Sequence, residues 1–213
     1  MEEIIKDLNP TFQLLVLMAI LTFLPLVFVT MTSFLRFIIV FSILKTALGT
    51  QQVPPGMVII GLSMILTFYT MSSVFTDSYN AGYKPYKQTG SIVSAIVEGS
   101  EPLKMFMMKQ TRQKDLAFFI EARGAKPPAT PADINIFDVA PAYIMSELKT
   151  SFEIGFIIFI PFIVIDLIVA NILLALGMFM LSPTIISLPF KLLIFIAVDG
   201  WSLIVNGLVQ SFN

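Results

Sequence analysis

Between Ile154 and Leu181 the chain reads IGFIIFIPFIVIDLIVANILLALGMFML, and its one charge, Asp166, sits near the middle. A helix rising ~1.5 Å per residue needs about 20 apolar residues to cross ~30 Å of hydrocarbon. This run exceeds that length. A carboxylate at such depth costs roughly 2.5–3.5 kcal/mol on insertion scales unless it is partnered. Gly155 and Gly177 each stand 11 residues from Asp166, close to three whole turns, so the three share a helix face with Ala170 between. Small residues let helices approach closely, and a polar group on that face meets protein instead of lipid. The stretch therefore predicts a membrane helix packed into a larger bundle. Pro161 is expected to kink it, and Pro183 follows its end.

Composition agrees. Of 213 residues, 56% are hydrophobic and 13% charged, against about 25% charged in soluble domains; mean hydropathy is +0.88. The absence of Cys and His removes thiol chemistry, disulfides, imidazole bases and nearly all zinc or haem sites. A net charge of −1 offers no field for nucleic acid. No Gly-rich phosphate loop, nucleophile elbow or paired-carboxylate motif is present, so no cofactor and no metal is expected. The first residues, MEEIIKDLNP, lack the basic region and small-residue cleavage site of a signal peptide, so the first apolar segment is expected to be retained.

Three segments follow in order. Residues 1–76 read as an N-terminal helical hairpin. Asn9-Pro10 suits a helix start, and Thr11 to Met31 is apolar with Pro25 inside. Arg36 and Lys45 bracket a second apolar run, Phe37 to Leu44. Two readings stay open here: one span plus a snorkelling interfacial helix, or a kinked helix buried in an assembly. GTQQVPPG (49–56) closes one helix and blocks its continuation. Met57 to Phe75 is the next span candidate, with Ser63, Thr67, Thr70, Ser72 and Ser73 available to neighbouring helices.

Residues 77–140 form a polar helical insertion. Gly82, Pro85, Gly90 and Gly99 are expected to break its first half. A helix is expected from Ser100-Glu101-Pro102 to about Glu121, bent or split because its two apolar stripes do not align. RGAKPPATP (123–131) reads as a loop. The eight basic residues of this insertion would place it in the cytoplasm, but the positive-inside rule weakens for loops beyond about 60 residues.

Residues 141–213 read as a C-terminal helical hairpin. It enters through PAYIMSELKTSFEIGF, with Glu147, Lys149 and Glu153 near the water boundary. In the last segment, Asp199, Ser202, Asn206 and Gln210 recur at three, four and four, one polar stripe along an apolar helix. That stripe faces a bundle interior or an aqueous path, or its last turns leave the membrane.

Four ordered blocks resemble the FliP/SctR family of type III secretion export-gate proteins. They are MTSFLRFIIVFSILKTALGTQQVPPG (31–56), PAYIMSELKTSFEIGF (141–156), PFIVIDLIVA (161–170) and ISLPFKLLIFIAVDGW (186–201). QTRQKDLAFF (110–119) and the closing QSF resemble the flagellar branch more than the injectisome branch. The resemblance implies an all-α, membrane-associated fold: long kinked helical hairpins assembling into a ring. It implies a pentamer joined by FliQ-like and FliR-like partners, contact with other basal-body components, and passage of unfolded flagellar subunits. It implies an inner-membrane location with much of the chain, including 77–140, facing the periplasm. In such a ring apolar surface is buried against neighbouring subunits, which accounts for over-long, charge-bearing hydrophobic segments.

The family closes its pore with a methionine-rich loop after the long helix. The matching positions are Met178, Phe179 and Met180; Phe179 departs from the run of methionines and is stiffer. Met145 and Ser151 depart in detail within the second block, where only local repacking is expected. Arg36, Glu147, Asp166, Lys191, Asp199 and Asn206 are the candidates for buried or inter-subunit polar contacts. Two readings from other classes stand beside this one. One is a transporter for a small solute, coupled through Asp166 and Asp199. The other is an intramembrane hydrolase using those two carboxylates as a dyad.

Overall fold

The computed structural model describes residues 10–50, 53–90, 92–124, 130 and 133–212. The proposed cap at Asn9 and most of the 123–131 loop lie outside the described residues. Among those described there are nine helices and no strand: α1 (Pro10–Met31), α2 (Phe34–Ala47), α3 (Gly56–Thr70), α4 (Ser72–Thr89), α5 (Ile92–Gln110), α6 (Gln113–Ala122), α7 (Ile136–Ala175), α8 (Pro183–Ala197) and α9 (Gly200–Gln210). The fold is all-α and membrane-associated. α7, at 40 residues, is long and apolar enough to cross a bilayer, and it runs through Pro141 and Pro161 without a break. The kink expected at Pro161 does not interrupt it.

The other apolar runs form bent helix pairs. Leu21–Met31 and α2 meet at 63°, α3 and the helix after it at 64°, and α8 and α9 at 63°. Each pair is long and apolar enough to cross a bilayer only when its two pieces are taken together. Polar backbone freed at a break must find partners where water is scarce. At the α1–α2 break, Tyr143 donates to the Thr32 carbonyl at 2.8 Å, and Ser33 pairs with Thr70 at 2.9 Å through their hydroxyls. The Ser33 N–H points at the Met71 sulfur, 3.2 Å away, and Met71 is itself the residue between α3 and α4. Two breaks are thus tied to each other by named side chains.

Contacts divide the chain into two units: residues 1–35 with 67–147, and residues 36–66 with 148–213. In the first, α4 and α5 form an antiparallel hairpin. Gly82 and Gly99, expected as breakers, lie inside these helices. A Cβ on Gly82 would fall 2.7 Å from the Ala95 carbonyl oxygen, and one on Gly99 would meet the Ser78 carbonyl at 3.2 Å. The glycines are there for close approach of two backbones, not to end a helix. Gly90 does end one, at φ 67°, its N–H reaching Tyr86. Helix α5 starts at Ile92, eight residues before the expected start, with Pro102 inside it. It stops at Gln110, and α6 follows after a two-residue break, as the misaligned stripes predicted. α6 is held at both ends: Ser146 donates to Asp115 at 2.8 Å and accepts from the Arg112 N–H, and Arg123 pairs with Asp138 at 2.7 Å.

The second unit holds the main apolar core. Phe37, Val40, Phe41 and Leu44 of α2 pack with Ile59, Phe162, Phe195 and Leu208. Those α2 positions recur at three, one and three, a helical stripe. Phe41 and Phe195 both meet Trp201 edge-on or tilted. Gly155 lets α7 lie against α2: a Cβ there would fall 2.4 Å from an Ile43 methyl.

Candidate functional site

The charges of the second unit are placed by helix ends. The last carbonyls of any helix lack intrahelical donors and carry partial negative charge. α2 ends at Ala47, and Gly49 turns the chain at φ 77°. The Lys191 ammonium sits there, 3.1 Å from the Ala47 carbonyl oxygen and 2.7 Å from Asp166 Oδ2. Lys191 is 2% exposed. The other Asp166 oxygen accepts from the Ser187 hydroxyl. Ser187 and Lys191 are one turn apart on α8, so α8 grips α7 through two adjacent side chains. Gly49 has little alternative because of its φ, which L side chains rarely adopt; a Cβ there would meet Thr184 and Lys191 only at ordinary contact distance.

Arg36 serves the far end of α9 in the same way. One guanidinium nitrogen lies 3.1 Å from the Ser211 carbonyl oxygen and 2.8 Å from its hydroxyl, and the guanidinium carbon stands 3.8 Å over the Phe212 ring. Arg36 is 3% exposed. Buried charge is tolerated only when paired and hydrogen-bonded, and cation over ring adds to this. Both cations therefore close helix C-termini inside one chain.

α7 ends on a left-handed Gly177, φ 73°. The Met178 N–H reaches the Leu173 carbonyl at 2.9 Å and the Gly177 N–H reaches Leu174 at 3.1 Å, the paired bonds of a Schellman cap. The chain then presents Met178, Phe179 and Met180 at 46%, 76% and 100% exposure before Ser182 and Pro183 open α8. Asp166 lies nine residues before the end of α7, roughly 14 Å along its axis. The ion pair and the apolar tip belong to the same α7–α8 hairpin.

The remaining candidates fall elsewhere. Glu147 is fully buried on α7 in the first unit. Asp199 occupies the α8–α9 break at φ 51°, ψ 52°, a left-handed conformation that Asp tolerates better than most. Asp199, Ser202, Asn206 and Gln210 are all exposed, so the α9 stripe is open in the single chain. Among the described residues no three His, Cys, Asp or Glu side chains come together as a metal-holding group. Ser187 was not singled out from sequence, although its i, i+4 spacing to Lys191 is a usable signal. The partnership of Arg36 with Ser211 and Phe212, 175 and 176 residues away, has no local signature.

These features define a class: an all-helical, membrane-associated chain of one long apolar helix and several bent helix pairs, with buried cations closing helix ends and an apolar loop at the tip of a hairpin. The chain belongs to the FliP family, whose pattern matches residues 17–208. It is 49% identical over 201 residues to the flagellar biosynthetic protein FliP of Pectobacterium carotovorum, covering 94% of this chain and 78% of that one. It is 48% identical over 201 residues to the FliP of Buchnera aphidicola from Baizongia pistaciae, covering 94% of this chain. It spans only 56%, about half, of that relative's length. It is also 43% identical over 208 residues to the Yop proteins translocation protein R of Yersinia pestis, covering 94% of this chain and 96% of that one.

Proposed function

We propose that this chain is an export-gate subunit of a flagellar type III secretion system, one of several copies lining a conduit for unfolded flagellar proteins across the inner membrane. The observation that carries the reading is the match to the FliP family over residues 17–208, together with relatives named for flagellar biosynthesis. The role is non-enzymatic: the chain supplies a path, and energy comes from other components. Large apolar side chains remain open along α3, α7 and α8, and assembly into a ring, a pentamer with FliQ-like and FliR-like partners, gives them subunits or lipid to face. In that ring 1–76 and 141–213 act as the two hairpins and 77–140 as the periplasmic insertion.

Met178, Phe179 and Met180 form the gate. Met is flexible and polarizable, so converging copies can seal a pore and still repack around a passing chain. Asp166 and Lys191 fix the hairpin that carries the loop. Deleting residues 178–180 is expected to leave the ring assembled and to make cells leak ions or small polar solutes. Unchanged permeability with normal assembly would overturn the gate assignment.

The injectisome reading is kept by the Yersinia pestis relative, named for Yop translocation. Complementation separates the two: restored swimming in a FliP-deficient bacterium supports the flagellar assignment, and restored Yop secretion without swimming supports the other. The transporter and hydrolase readings both need Asp166 available for chemistry, and its two oxygens are engaged by Ser187 and Lys191.

A further inference from the structure

Four of the five tyrosines of the chain fall between Tyr69 and Tyr86. Tyr79, Tyr83 and Tyr86 recur at four and three along α4 and are all exposed. Tyr79 and Tyr83 stack with ring centroids 5.6 Å apart and planes at 13°. The helix packs on α5 along the adjoining stripe, where Gly82, one turn from both Tyr79 and Tyr86, meets Ala95 and Gly99. From Ser78 to Val97 the charged residues are Lys84 and Lys87, both exposed, while the exposed carboxylates Asp77 and Glu98 bound the stretch at the level of Tyr79, away from the turn. The end of the α4–α5 hairpin thus combines phenol rings, two ammonium groups and the exposed apolar Ile92.

Each component suits one environment. Tyrosine favours the boundary between hydrocarbon and water, with its ring in the apolar layer and its hydroxyl among headgroups. Lysine stems lie along apolar material while the ammonium reaches phosphate. A protein-facing patch would carry no need for lysine alone at the end nearest the turn, whereas an anionic lipid surface rewards each lysine by about fivefold in affinity. The exposed apolar faces of α7 and α8, by contrast, contain no tyrosine.

We propose that the tyrosine–lysine end of the α4–α5 hairpin seats in the headgroup layer of an anionic phospholipid membrane. It is an interfacial anchor on the polar second arm of the bent α3–α4 pair, independent of what the conduit carries.

The chain has no cysteine, so Gln88→Cys on exposed α4 gives one thiol for an environment-sensitive fluorophore while Tyr and Lys stay in place. The full-length labelled protein is reconstituted in phosphatidylcholine vesicles with and without phosphatidylglycerol. Quenchers are attached to lipid either at the headgroup or deep in the acyl chain. The expected result is quenching by the shallow label over the deep one, stronger with phosphatidylglycerol. Lys84→Gln with Lys87→Gln should weaken the shallow signal at least about twofold, and Tyr83→Ser with Tyr86→Ser should do the same in both vesicles. No shallow quenching in either vesicle would place this face in water or under a protein and overturn the proposal. Quenching indifferent to phosphatidylglycerol and to the lysines would overturn it as an anionic-lipid seat.

Discussion

Lys191 joins three helices of the second unit, α2, α7 and α8. It is almost fully buried, it neutralises Asp166, and it closes the C-terminus of α2. Removing one partner of a buried pair leaves the other charge without compensation, at a typical cost of about 3–5 kcal/mol. Replacing both with apolar residues of similar volume costs much less, because no charge is stranded. We therefore expect Asp166→Ala and Lys191→Ala each to abolish stable folding in detergent, and Asp166→Leu with Lys191→Met to recover most of it. Thermal unfolding followed by circular dichroism checks this. A double variant no better than the singles would mean that the pair acts by geometry that only the charges supply. Asp166 was legible in the sequence because a lone carboxylate in 28 apolar residues demands a partner. Its partner was among the candidates, but the pairing was not, since 25 residues and a turn separate the two and only the fold sets α8 against α7.

At the scale of helices, the sequence spoke clearly about type and poorly about breaks. Apolar runs with 3.6 periodicity predicted helices everywhere, and helices are what form. Glycine and proline were the weak signals. Gly49, Gly90 and Gly177 end helices at positive φ, whereas Gly82 and Gly99 lie inside them. The difference is tertiary: Gly82 and Gly99 face each other across a helix crossing, and nothing local announces that. Pro161 and Pro102 likewise sit within continuous helices, as happens where neighbours re-satisfy the freed carbonyls. The sharp bends come instead at Thr32-Ser33, Met71 and Asp199, which hold no proline at all. If Gly82 serves close approach, Gly82→Ala should destabilise the hairpin by about 1–3 kcal/mol, since the obstructing atom is backbone and cannot rotate away. Hydrogen exchange should rise in α4 and α5 and stay unchanged in α8 and α9. Unaltered exchange across 72–110 would show that the crossing has room to spare.

For the whole molecule, the family was legible because four blocks in fixed order span most of the chain, whereas no single motif would have sufficed. The assembly was less so. A single chain shows Met180 wholly exposed and the α9 polar stripe open; in the proposed ring, neighbouring copies would cover them. Buried cations at helix ends stabilise the single chain, and in the proposed ring the apolar surface left over would drive association. The proposed role requires oligomerisation. The most direct test is native mass spectrometry of the detergent-extracted protein, expressed alone and with its FliQ-like and FliR-like partners. We expect a discrete ring, five copies, that takes up the two smaller hydrophobic proteins. A stable monomer or dimer that ignores those partners would contradict the account.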